Sequence, residues 1–399
     1  MFLWGDALAV SMPFAKKLFY SITLMGCSLA FLFTLAEIAT RVYYKDSVLQ
    51  FHLYDTFRTH RLNPDYKLKS HSQKLHSKDG FRSDTEIKLQ KDENTIRILM
   101  LGGSALYGLG SGSIYPKNDS LKNSETISHR LQEKINRSFV SSGSQKRVEI
   151  INAGVISYMT FHHLVYLNQE LLKYKPDWVI NFDGNNDFYG DNPEYLHWND
   201  YTYGSSQLVP HVNARDLFTP FYLFVRFLGK YSAFIHWSER YTNNVMDNYS
   251  VSGKSHYDLQ FLDSDYSEKN FEAYAQNTFM RSIWQINKLG EHEKYKHFVV
   301  IQPEVVFEDD AKLSAQDLDI KNLTSQRIDK KRIEKMHKMY NHMPLMFKKE
   351  KIDTLSLGRI ATGNNTNLYW DYCHLSPEGS ALVAERIYDY FYPLLTSKH

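Results

Sequence analysis

The chain has 399 residues, of which 43% are hydrophobic and 23% charged, and its formal net charge is +2. This composition excludes a disordered or low-complexity protein. The near balance of charge, without a long Lys/Arg block, excludes an electrostatic case for a nucleic-acid partner. The length accommodates one large domain or two ordinary ones.

Leu18 to Ala36 is a mostly apolar run of 19 residues, with no charge between Lys17 and Glu37. As a helix it spans roughly 28 Å, close to the thickness of a bilayer's hydrocarbon core. It is longer than the apolar core of a secretory signal, about 7–15 residues. Lys16 and Lys17 precede it and Arg41 and Lys45 follow, too even a charge bias to set orientation. A short leader before a long folded region favours a signal anchor with its N-terminus inside, and Met12 offers a second start. A cleaved signal peptide is the competing reading. We expect residues 1–45 to form a cytoplasmic stub and a transmembrane anchor, with the helix at about 18–36. Cys27 lies in the apolar run and leaves Cys373 alone in the rest of the chain. No disulfide framework and no zinc-type Cys/His spacing follows from that pattern.

Residues 46–94 are polar and show little periodicity, and we expect a juxtamembrane connector that gains structure near Gly80-Phe81-Arg82. Strand and helix signals then alternate. Thr95–Leu101 reads as a strand, and Glu125–Phe139 as a helix with Ile127, Leu131 and Ile135 on one face. Arg147–Ile151 is a second strand, and Leu164, Leu167, Leu171 and Leu172 mark a helix. Asp177–Phe182 and His297–Gln302 are further strands, followed by a helix from about 329 to 348 and a short strand near 352–357. Ser376-Pro377 opens the last helix, with Ser as N-cap and Pro in the first turn. Strands separated by helices predict a mostly parallel sheet covered on both faces. Residues 188–296 interrupt the rhythm as an insertion rich in Tyr, Trp, His and Asn. Its apolar stretch Leu217–Leu228 is interrupted by Pro220 and Arg226 and is too short to span a bilayer. That stretch reads as a helix packed on the core, or as a lid or membrane-surface element.

Four segments carry chemistry. Leu101-Gly-Gly-Ser-Ala-Leu-Tyr-Gly108 places Ser104 on a glycine-rich turn at the end of a buried strand, where an α/β fold exposes a nucleophile. Ile151-Asn-Ala-Gly154 ends the next strand in a glycine whose N–H is open to a ligand. Asp183-Gly-Asn-Asn-Asp187 sets Asn186 at a strand's carboxyl end, where α/β sheets bind ligands. Asp371-Tyr-Cys-His374 puts a carboxylate and an imidazole three residues apart, close enough to hydrogen-bond. Taken singly, each is an ordinary turn, and an Asp-x-x-His pair also suits a surface ion pair or a metal. The absence of a second His/carboxylate cluster, the single cysteine and the suitable serine argue against a metal.

In this order the four segments resemble the SGNH (GDSL-like) hydrolase family. The resemblance implies a three-layer α/β/α, flavodoxin-like fold over residues 95–399, with Ser104 as nucleophile and Asp371 and His374 completing a triad. It implies Ser104, Gly154 and Asn186 as the oxyanion hole and calls for no cofactor and no metal. Gly184-Asn-Asn-Asp187 matches the family's Gly-x-Asn-Asp block, whereas Gly103 stands where the first block has Asp. Gly-Gly-Ser, with Gly80-Phe-Arg82 upstream and a single N-terminal anchor, is similar to a branch of bacterial envelope proteins.

The expected substrate is an acylated carbohydrate or another ester. An envelope carbohydrate esterase suits the triad, the anchor and the aromatic residues, 15% of the chain, that stack on sugar faces. An O-acyltransferase of a surface polysaccharide uses the same acyl-serine, and a lipid esterase follows if Leu217–Leu228 is an interfacial lid. A non-catalytic scaffold is the remaining alternative. The expected location is a single-pass membrane protein with its catalytic domain outside the cytoplasm.

Overall fold

The structure, a computed structural model, describes residues 14–44, 52–55, 58–64, 66, 74–110, 120–188, 279–327 and 330–397, with positions 228, 232, 234, 235, 237 and 238. The chain divides into two compact units, Met1–Gln50 with Ala214–His256, and Phe51–Asn213 with Tyr257–His399.

The first unit is built on helix α1, Phe14–Tyr44. Its stretch Leu18–Val42 has a mean hydropathy of 1.9 and is long and apolar enough to cross a membrane, a test that an N-terminal signal sequence also passes. The helix runs past the expected end at residue 36 because its first charges pair along it, Arg41 Nε to Glu37 Oε1 at 2.6 Å. Glu37 Oε2 also accepts the Ser232 hydroxyl at 2.8 Å and the Phe234 N–H at 2.9 Å. The Phe33 and Phe234 rings meet edge-on at 5.8 Å. Part of the insertion therefore packs on α1. Its apolar stretch Leu217–Leu228 lies, except for Leu228, outside the described residues.

The second unit opens with a hairpin, β1 (His52–Asp55) and β2 (Thr59–Leu62), paired antiparallel. The strands β3 (Thr95–Gly102), β4 (Arg147–Asn152), β5 (Trp178–Asp183), β6 (Lys296–Ile301) and β7 (Asp353–Ser356) form one parallel sheet in the order β4-β3-β5-β6-β7. Numbered from its own first strand this is 2-1-3-4-5, the flavodoxin-like doubly wound order. Successive residues of β3 alternate between two cores, Ile98 and Met100 on one face, Leu99 and Leu101 on the other. Burial on both faces explains why the central strands β3, β5 and β6 read as largely apolar runs.

The first face is covered by α3 (Ile127–Ser141), α8 (Lys330–Lys349) and α9 (Pro377–Thr396), through Leu131, Ile135, Met343, Val383 and Ile387. The second is covered by α4 (Thr160–Tyr166) and the turns that continue it, through Tyr166, Leu167 and Leu171. Caps follow the sequence: the Thr126 hydroxyl accepts from His129 N–H, and the Ser376 hydroxyl from Gly379 N–H at 3.0 Å.

Three departures from expectation have physical causes. Residues 46–94 were expected as a connector, yet from residue 52 on they belong to the body: Leu62, Phe81 and Ile87 lie in the second core. Their apolar residues plug single gaps and so show no period. Helix α6 (Arg281–Glu293), inside the expected insertion, places Ile283 and Ile286 in the two cores. Helix α7 (Ala315–Arg327) has no strong apolar face and so left no sequence signal; the Ser314 hydroxyl caps it by accepting Asp317 N–H at 3.1 Å.

Candidate active site

The order β4-β3-β5 makes β3 the strand at which the winding reverses, and the carboxyl ends of the strands at such a point form a crevice. Ser104 follows β3 directly, as the first residue of the short helix α2, Ser104–Tyr107. Two glycines let the turn fit. A Cβ on Gly102 would stand 2.8 Å from the Phe182 carbonyl, and one on Gly103 would stand 2.5 Å from Asn186 Nδ2. Gly108, at φ +82°, closes the turn by donating its N–H to the Ser104 carbonyl.

Asp371 and His374 come from the loop between β7 and α9. The carboxylate Oδ1 accepts the backbone N–H of Cys373 at 3.1 Å and of His374 at 2.9 Å, and Oδ2 lies 2.7 Å from His374 Nδ1. Burial pushes the Asp371 carboxyl up, but the bond and charge of His374 and the two N–H donors outweigh it and hold it below its ordinary value. His374 Nε2 stands 2.7 Å from Ser104 Oγ. Ser104 and His374 are each 8% exposed and Asp371 2%, so the three groups meet in an almost enclosed position.

Among the described residues, Asp371, Cys373 and His374 are the group whose ligating atoms come within 4.8 Å of one another. The geometry suits a proton relay better than a metal. The carboxylate and Nδ1 face each other at hydrogen-bond length, and burial raises the Cys373 thiol well above its ordinary range.

Asn186 lies on α5, Asn185–Phe188, just beyond β5. Its Nδ2 donates to the Tyr158 carbonyl at 2.8 Å, beside Gly103. The neighbours of Asn186 are clamped as well. Asn185 Nδ2 donates to Glu304 Oε1 at 2.8 Å, and Asp187 accepts the Thr160 N–H at 3.2 Å and its hydroxyl at 3.0 Å. Burial and the nearby Asp183 charge raise the Asp187 carboxyl.

Gly154 is brought beside α2, where a Cβ would come 2.8 Å from the Tyr107 nitrogen. Its own N–H is donated to Asn152 Oδ1 at 2.9 Å, and Asn152 Nδ2 reaches the Leu106 carbonyl and the Ser128 hydroxyl. The structure thus brings Ser104, His374, Asp371 and Asn186 together, while Gly154 holds its N–H bond within its own turn.

Several residues that hold this arrangement carried no role in the sequence reading. Glu308 accepts the N–H groups of Ile360 and Ala361 and the Tyr369 hydroxyl, and Asp317 accepts those of Leu368 and Tyr369. Both pin the loop that leads to Asp371. Tyr158 and the hairpin residue His60 are also new; the one local signal was Asp187, whose carboxylate fixes the far end of the Tyr158 loop.

No protein family's sequence profile matches the chain, and no curated protein matches it. Solved structures do. A carbohydrate acetylesterase from Sinorhizobium meliloti aligns with 75% of this chain and 99% of its own at 13% identity, with a TM-score of 0.39. A lipase/acylhydrolase from Enterococcus faecalis aligns with 76% of this chain and 99% of its own at 16% identity, with a TM-score of 0.38. An acetyl xylan esterase aligns with 74% of this chain and 98% of its own at 13% identity, with a TM-score of 0.32.

Proposed function

We propose that the chain is a serine esterase of the SGNH type, acting on acyl or acetyl esters of an envelope carbohydrate. The observation that carries this reading is the continuous relay from Asp371 Oδ2 through His374 Nδ1 and Nε2 to Ser104 Oγ, each step 2.7 Å.

In the proposed reaction His374 Nε2 takes the Ser104 proton as Oγ attacks the ester carbonyl carbon. Asp371 fixes the imidazole tautomer and balances the imidazolium that forms. The oxyanion forms against the N–H of Ser104, which opens α2 and has no acceptor within the helix, and against the amide of Asn186. The Gly154 N–H joins them if it is released from Asn152. Collapse of the tetrahedral intermediate breaks the bond to the alcohol oxygen, which leaves with the proton from His374, and Ser104 retains the acyl group. Water, deprotonated by His374, then releases the acid and restores the serine.

The apolar helix α1 supports a reading in which the body is tethered to the outer face of a membrane, in bacteria the inner membrane facing the periplasm. A transferase reading differs only in the last step, in which a sugar hydroxyl replaces water.

Full-length protein in detergent, given an aryl acetate with and without an oligosaccharide acceptor, separates the two. Hydrolysis unaffected by the acceptor supports the esterase. Acetylation of the acceptor far above hydrolysis overturns the esterase in favour of the transferase, and Ser104→Ala must abolish either activity.

A further inference from the structure

The hairpin ahead of the sheet reaches the loop that follows β4. The His60 ring donates through Nε2 to the Ile156 carbonyl at 2.8 Å, and the Tyr158 hydroxyl donates to the His60 carbonyl. The two rings meet edge-on at 5.1 Å, and the other face of Tyr158 stacks on His162 at 5.0 Å. The hairpin is itself anchored: Arg58, 1% exposed, pairs with Asp55 at 2.7 Å and Glu170 at 2.8 Å and lies over the Tyr166 ring. Between the two hairpin contacts Ser157 is held at φ +65°, a left-handed conformation that a non-glycine residue keeps only when its surroundings impose it.

The opposite side of the same loop faces the active site. The Tyr158 carbonyl accepts from Asn186 Nδ2 at 2.8 Å and lies 3.4 Å from the place where a Cβ on Gly103 would be. A primary amide carries two N–H groups in one plane, so the bond given to Tyr158 sets the direction of the other. A shift of the carbonyl therefore turns the remaining donor.

We propose that Tyr158 is a positioning residue. Its hydroxyl, seated on the hairpin, fixes the carbonyl that orients the Asn186 amide toward the reacting oxygen. This rests on the reading of Asn186 as an oxyanion donor. It makes the hairpin ahead of the sheet a working part of the active site.

The test is Tyr158→Phe in the full-length protein, assayed on an aryl acetate alone and in the Asn186→Ala background. The substitution removes one hydroxyl and keeps the ring and the carbonyl. We expect kcat to fall roughly three- to tenfold, the size of one uncharged hydrogen bond, with KM unchanged. In the Asn186→Ala background it should cost nothing further, because the group it orients is gone. His60→Ala should act like Tyr158→Phe, and His60→Gln, which keeps a donor for the Ile156 carbonyl, should restore most of the rate. If Tyr158→Phe does not fold, the His60 pair carries the same test. An unchanged kcat, or a loss that adds in full to that of Asn186→Ala, overturns the proposal. Full activity in Ser104→Ala or Asn186→Ala overturns the reading of the site, and the proposal with it.

Discussion

Ser104 Oγ and His374 Nε2 stand 2.7 Å apart although 270 positions separate them in the chain. The serine is delivered by the turn after the strand where the sheet's winding reverses, and the histidine by the loop before the last helix. Both loops are pinned by groups that take no part in the relay, Asn186 and Tyr158 on one side and Glu308 and Asp317 on the other.

Asp371→Asn should lower kcat by roughly 10²–10⁴ while leaving the fold intact. An asparagine still accepts the N–H groups of Cys373 and His374 through Oδ1, yet it brings no charge to balance the imidazolium. Steady-state assays with circular dichroism check this; a loss under threefold would remove Asp371 from the relay.

Gly103→Ala puts a methyl group 2.5 Å from Asn186 Nδ2, closer than the two can approach. The amide must turn aside, so kcat should fall, up to the loss of about 10²–10³ seen when an oxyanion donor is removed. Thermal stability should change far less. An active Gly103→Ala protein would show that the amide is not aimed by this contact.

Glu304 contributes to the dependence of stability on pH. Burial pushes its carboxyl from the ordinary 4.5 up to about 7, against the lowering bonds from Tyr340 and Asn185. Between those values the folded chain holds a proton that the unfolded chain has released. Its contribution is therefore full below pH 4.5 and is lost as pH rises to about 7. Glu304→Gln should remove this slope, on the order of 1–3 kcal/mol between pH 5 and 8. Denaturant melts across that range check it, and equal slopes in the two proteins would contradict it.

Glu308→Gln tests the loop that carries Asp371. Its oxygens accept Ile360 N–H at 2.8 Å, Ala361 N–H at 3.1 Å and the Tyr369 hydroxyl at 2.6 Å. A glutamine must turn an NH₂ toward one of these donors. We expect a loss of about 1–3 kcal/mol in stability, read by thermal or urea melts, together with a lower kcat.

Most of the sheet was legible in the sequence because β3, β5 and β6 are buried on both faces and read as apolar runs, as in Ile98–Leu101 and Val299–Ile301. The last helix was legible from Ser376-Pro377. Ser104 was marked by its turn at the end of a strand, and Asp371 and His374 by their spacing of three residues just ahead of the Ser376-Pro377 helix start. What was not legible depends on contacts between distant segments. The hairpin at 52–62 has no apolar alternation and is fixed by the buried Arg58 and by His60 against a loop almost a hundred positions away. Gly154 was marked by its place after a strand, but nothing local shows that Asn152 takes its N–H. Helix α7 has no strong apolar face, sends only Ile320 into the first core, and is held by its cap and by Asp317.

If the relay works as proposed, Ser104 is a nucleophile activated by His374. A fluorophosphonate, whose phosphorus is attacked by an activated serine with loss of fluoride, reports this directly when full-length protein is digested and weighed. One adduct on the Ser104 peptide is expected, with slower but present labelling in Asn186→Ala and none in Ser104→Ala or His374→Ala. An unlabelled wild-type protein, or an adduct that persists in Ser104→Ala, would contradict it.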